Sequence, residues 1–172
     1  QPPGDRRAET IMTVSDEIRR QLPNAFYPFF GEFSGLRPAQ EATIPLVLSG
    51  ENVLLISPTG SGKTEAMVAP VAERAKTEAM VVPVAEKATQ DRRRLTCLYI
   101  CPTRALVNDI ERRVKDKLGR MDLAVGVRHG DRKTMQGKRP PEFLITTPES
   151  LDVMLGNDRY MSDLEPANTV II

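Results

Sequence analysis

The residues best equipped for chemistry are Ser57-Pro-Thr-Gly-Ser-Gly-Lys-Thr64. They follow a short apolar run, Val53-Leu54-Leu55-Ile56, and precede a helical pattern. Gly60 and Gly62 let the backbone turn tightly and aim several N–H groups at one point. Thr59 and Ser61 complete the loop, and a helix N-terminus behind it favours anions. Lys63 adds a point charge suited to the outer phosphates of a polyphosphate, and the Thr64 hydroxyl can ligate Mg²⁺. Strand, glycines, Lys and Thr in this order are the context a phosphate-gripping P-loop requires. The first position is Ser57, where the strict pattern has Gly.

Elements must hold this loop in place. Residues 10–22 carry Ile11, Val14, Ile18 and Leu22 at helical spacing, ending before Pro23. Residues 38–49 predict a helix with Ala39, Ala42, Thr43, Leu46 and Val47 inward and Gly50 just past its end. Strands are expected at 53–56, 95–100, 123–127, 143–146 and 169–172, with helices from about 62, over 104–118 and over 148–155. Apolar strands separated by helices predict an α/β fold with a parallel sheet flanked by helices.

The 172 residues are 40% hydrophobic and 27% charged, which suits one globular domain and excludes wholesale disorder. No apolar run reaches the roughly 20 residues that span a bilayer. No secretory signal pattern opens the chain, so an intracellular protein without membrane contact is expected. Cys97 and Cys101 lie in an apolar run without neighbouring ligands and predict buried, reduced thiols. Net charge is +1, yet residues 91–139 hold 14 basic and 6 acidic side chains. That basic half suits a phosphate backbone. A solvated mixed-sign helix over 111–117 accounts for part of it equally well, and Arg92–Arg94 suits a loop tip.

Thr64–Lys76 and Thr77–Thr89 match at 10 of 13 positions. Thirteen residues advance a helix by about 1300°, roughly 220° beyond whole turns, so one straight helix cannot show both copies to the same core. Pro70 and Pro83 add kinks. One copy is expected to pack as the crossover helix and the other to extend outward, and the repeat carries no function.

Four blocks in order make the chain resemble superfamily 2 helicases of the DEAD/DEAH-box kind, most of all the Lhr-like group, over residues 26–172. The first block is Phe33-Ser-Gly-Leu-Arg-Pro-Ala-Gln40, similar to the adenine-reading Q motif. A Gln amide offers the donor and acceptor that match the adenine edge, and Phe33 or Phe30 could stack on the base. Without the other blocks, Gln40 would be a surface residue and Phe33 a core residue. The second block is the P-loop with Glu65 and Ala66. The third, Pro102-Thr103-Arg104 onward to Asp109, looks like motif Ia, a backbone-phosphate contact built on a helix start. The fourth, Thr146-Thr147-Pro148-Glu149-Ser150-Leu151, looks like motif Ib, with Thr147 as cap and Pro148 at the first helical position. His129-Gly130-Asp131 resembles a further backbone-contacting loop, with His129 itself structural.

The resemblance implies a P-loop NTPase (RecA-like) lobe that takes ATP and Mg²⁺, holds a DNA or RNA strand by its phosphates, and works with a second lobe. It implies a tail and short helix over 1–24 and a partial ATP-binding domain over 25–172, incomplete at the C-terminus. The acidic pair that follows the last strand in the family, and the second lobe with its arginine fingers, are not in these residues. The fragment alone is therefore expected to bind nucleotide weakly and turn over almost nothing. A RecQ-like helicase, another P-loop NTPase and a non-hydrolysing nucleic-acid-binding fragment are the competing readings. Because the repeat is assigned no structural role, deleting Thr77–Thr89 should leave the melting temperature unchanged; a lower one by calorimetry refutes that assignment.

Overall fold

The computed structural model describes residues 13–81, 94–130, 132–133 and 140–172. In chain order come helices α1 (Val14–Gln21), α2 (Phe26–Phe30), α3 (Pro38–Leu48) and α4 (Lys63–Val81). Strand β1 (Cys97–Ile100) and helix α5 (Arg104–Arg120) follow, then β2 (Val125–His129), β3 (Arg132–Lys133) and β4 (Phe143–Thr146). Helices α6 (Pro148–Leu155) and α7 (Asp158–Leu164) lead to β5 (Thr169–Ile171). The strand order is β3-β2-β4-β1-β5. All pairs are parallel except the short β2–β3 hairpin, which the sequence did not announce.

Successive strand residues face opposite ways, so β1 and β4 each feed two cores. Phe143 and Ile145 enter the larger core with Ile18, Phe29, Ile44, Val68 and Val107 from α1 to α5. Leu144 enters a smaller one with Leu98, Met154 and Leu164, under α6 and α7. Such two-sided burial explains the unbroken apolar runs. Ile18 and Leu22 lie in the same core as Phe29, so the chain passes residue 24 without leaving it. Cys97 and Cys101 are free and buried, and burial raises both thiols, Cys101 to about 11.

Several expectations are corrected. Residues 53–56 pair with none of the five strands. Leu54 and Ile56 are 86% and 85% exposed while Val53 packs on the core, which is strand-like alternation without a ladder partner. The expected strand 123–127 starts at Val125, because the Ala124 N–H is taken by Glu142 Oε2 at 2.7 Å, and pairing with β3 carries it to His129. Helix α3 buries Gln40, Thr43, Ile44 and Val47, whereas Ala42 and Leu46 face solvent. Helix α2 forms despite Pro28, which falls in the first turn where no N–H is needed. Helix α7 also went unforeseen; the Asn157 side chain caps it, accepting the Arg159 N–H at 3.0 Å.

Helix α4 treats the two copies differently. In the first copy Thr64, Ala66, Val68–Ala72, Glu73 and Ala75 are buried, while Thr77–Val81 are exposed. As far as Val81, the second copy thus extends outward. Residues 82–89 lie outside the described residues, as do residues 1–12, Arg92 and Arg93.

Two carboxylates on α4 fix its neighbours. Buried Glu73 accepts the Asn24 N–H (2.9 Å), the Asn24 Nδ2–H (2.6 Å) and the Ala25 N–H (2.8 Å), pinning the α1–α2 connection. Glu65 accepts from Lys117 Nζ on α5 at 3.0 Å, and that ammonium also lies 5.5 Å from the Phe29 ring centroid. Burial alone would raise the Glu65 carboxyl; the Lys117 hydrogen bond and charge overcome it and hold the group below its usual range.

Glu73→Ala strands two backbone N–H groups and should cost about 3 kcal/mol of unfolding free energy in urea titrations. Glu65→Gln should cost about 1.5 kcal/mol at neutral pH. Because folding lowers the Glu65 value, that contribution is present above the ordinary carboxylate value of 4.5 and is lost as pH falls through the depressed folded value. The gap between the parent and Glu65→Gln should therefore close in acid denaturation curves.

Candidate functional site

Two clefts gather most of the residues singled out in the sequence. The first is about 210 Å³ and is lined by Phe33, Gly35, Arg37, Gln40, Gly60, Gly62, Glu65 and Arg113. Gly60 and Gly62 have φ of +81° and +83°, conformations in which a Cβ is strained. At Gly62 a side chain would also collide with the Gln40 amide. Gln40 is only 6% exposed. Its Oε1 accepts the Arg37 N–H at 2.9 Å, and its Nε2 donates to the Gly62 carbonyl at 3.4 Å. One N–H and one lone pair of the amide are left over by these two bonds. Phe33, by contrast, is 56% exposed on the cleft wall. Both residues thus depart from what an isolated surface Gln and core Phe would do.

The loop is tied to itself. Lys63 Nζ donates to the carbonyls of Ser57 (2.6 Å) and Pro58 (2.8 Å), and the Ser57 and Ser61 hydroxyls are 2.6 Å apart. Thr64 is buried at the start of α4, with its hydroxyl beside Tyr99 of β1. Burial pushes the Tyr99 hydroxyl up to about 12, against the opposing influence of Thr64. Lys63, Thr64, Thr59 and Ser61 belong to the loop but do not line the cleft.

The second cleft is about 570 Å³ and lies where β1, β2 and β4 end. Pro102, Thr103 and Arg104 enter it after β1; Arg128, His129 and Gly130 from β2; Thr147, Glu149, Ser150 and Val153 after β4. Parallel register aligns them, since Thr146 is paired with Ile100 on one side and Arg128 on the other. Thr103 caps α5, its side chain accepting the Leu106 N–H at 3.2 Å. Thr147 caps α6, accepting the Ser150 N–H at 3.4 Å. Two helix N-termini therefore open on one space, a favourable setting for an anion. The absence of a side chain on Gly130 makes room for Arg104, because a Cβ there would lie 2.6 Å from Nη2.

Of the residues expected here, Pro148 opens α6 without lining the cleft, and Asp131 lies outside the described residues. His129 lines the cleft and is buried, with Nε2 3.4 Å from Asn108 Oδ1 and, among the described residues, no hydrogen-bond partner for Nδ1. Sequence reasoning missed Gly35, Arg37 and Arg113 in the first cleft and Arg128 and Val153 in the second. Arg37 sits inside the quoted Gln40 block, so it was within reach. Arg113 and Arg128 carried no signal beyond their charge.

A family model, DEAD/DEAH box helicase, matches residues 37–172. ATP-dependent helicase Lhr-Core of Sulfolobus acidocaldarius is 30% identical over 177 residues, covering 95% of this chain and 19% of that protein. The structure of Mycobacterium smegmatis helicase Lhr bound to ssDNA and AMP-PNP superposes with a TM-score of 0.62 at 30% identity, over 92% of this chain and 19% of that one. A DEAD-box helicase bound to ssRNA and UDP-BeF gives a TM-score of 0.65 at 22% identity, over 93% of this chain and 40% of that one, a likeness of fold. The chain spans about a fifth of the length of the Lhr relatives it matches. These relatives favour the Lhr-like over the RecQ-like resemblance. With its RecA-like parallel sheet and a family match from Arg37 to Ile172, the chain belongs to the DEAD/DEAH box helicases.

Proposed function

We propose that this chain is the nucleotide-binding and strand-holding part of an ATP-dependent DNA or RNA helicase. The observation that carries the reading is the convergence of three sequence-distant blocks, around Thr103, Gly130 and Thr147, on one cleft at the strand ends. The P-loop would hold the triphosphate by the N–H groups of Gly60 to Thr64, with Lys63 exchanging loop carbonyls for phosphate oxygens. Phe33 and Gln40 would take the base, through ring stacking and the amide's spare donor and acceptor. Thr64 would hold Mg²⁺: one hydroxyl suits an ion that fills its octahedron with water and phosphate oxygens, and when bound it neutralises phosphate charge. Thr103, Arg104, Gly130, Thr147 and Ser150 would hold the strand by its backbone, independently of sequence, with Glu149 adding its helix-start N–H and not its carboxylate.

Hydrolysis and unwinding belong, on this reading, to the longer protein in which a second RecA-like lobe closes on the first. The relative with ssDNA and AMP-PNP bound supports both ligands. Among the described residues no helix is long and apolar enough to cross a membrane.

Calorimetric titration of the longer protein with Mg·ATP should give a saturable heat that Lys63→Ala weakens at least about tenfold, or about 1.4 kcal/mol. No heat from the parent protein, or an unchanged affinity in the variant, refutes the nucleotide reading.

A further inference from the structure

Arg128 is an arginine at the end of β2 that is only 6% exposed, yet it lines the larger cleft. Its guanidinium carbon lies 4.2 Å from the ring centroid of Tyr160 on α7. Among the described residues, no carboxylate approaches that guanidinium within 4.0 Å. Its backbone is fixed as well, because the Arg128 carbonyl accepts the Thr146 Oγ1–H at 2.9 Å. The little of Arg128 that meets solvent opens into the cleft, and an aromatic face compensates its charge only in part. An anion in the cleft would complete the pairing of this guanidinium, and the cleft beside Arg128 is where two Thr-capped helices present their N-termini.

We propose that Arg128 is a phosphate ligand for a single nucleic-acid strand, held in pose by the face of Tyr160; this rests on the cleft being the strand site. Three features favour a strand phosphodiester over a lone inorganic anion. The cleft, about 570 Å³, is far larger than one phosphate. Pro102 and Val153 give it apolar walls, which suit sugar and base. Beside the Glu149 carboxylate the lining carries two arginines, Arg104 and Arg128, an excess of positive charge that suits a phosphate backbone. Helix α7 thereby acquires a role, since it supplies the ring that orients the guanidinium.

The test is fluorescence polarisation of the longer protein with an oligothymidylate of about 20 nucleotides over a range of KCl. Melting temperature and Mg·ATP affinity serve as controls on folding. Arg128→Met should weaken binding about tenfold and reduce the slope of log K against log salt by about 0.7. Arg128→Lys keeps the charge but not the flat stack, so its slope should match the parent while affinity falls about fivefold. Tyr160→Leu should likewise keep the slope and lose about threefold. Parent-like affinity and slope in a folded Arg128→Met variant overturn the proposal. If that variant does not fold, parent-like affinity in both Arg128→Lys and Tyr160→Leu overturns it. A parent protein that binds no oligonucleotide brings down the strand reading itself, which sets that failure apart from a failure of Arg128.

Discussion

Parallel register among three strands is the constraint on which the rest depends. Ile100, Thr146 and Arg128 stand in one row across β1, β4 and β2. Each chain must then leave the sheet on the same side, and two of them turn at once into Thr-capped helices. Slipping any strand by one residue would exchange its two faces and scatter the cleft. The cores enforce the row: Phe143 and Ile145 belong to one, Leu144 to the other, and neither tolerates the swap.

The phosphate loop is held by different means. Helix α3 packs against α4 and brings Gln40 against Gly62, so the loop's shape is set from outside by one side chain. The same residue that would read the base therefore also measures the loop. Helix α5 links the two clefts, with Thr103 and Arg104 at its start in the larger and Arg113 in the smaller. Glu65 and Lys117 tie that helix back to α4.

How much of this was legible beforehand depended on the kind of signal. The loop from Ser57 to Thr64 was legible because its chemistry is local, written in consecutive residues. Thr103 and Thr147 were legible as caps for the same reason. Residues 53–56 misled because apolar alternation reports which way side chains point and not whether a ladder partner exists. The buried face of α3 was misassigned because Gln40, a polar residue, occupies an inward position for the sake of the loop. Arg128 was invisible because the ring that faces it, Tyr160, lies some thirty positions later and on a helix that no periodicity revealed.

The unpaired stretch beside the P-loop has a practical side. Leu54 and Ile56 stand in water, and so does Val170 on β5, the last strand in the sheet order. Oily side chains on stretches that lack a ladder partner on at least one side among the described residues make an adhesive rim, onto which an extended peptide can zip. Handled alone at high concentration, this polypeptide is prone to clump through that rim, and charged substitutions at Leu54 and Val170 are the natural way to keep it dispersed.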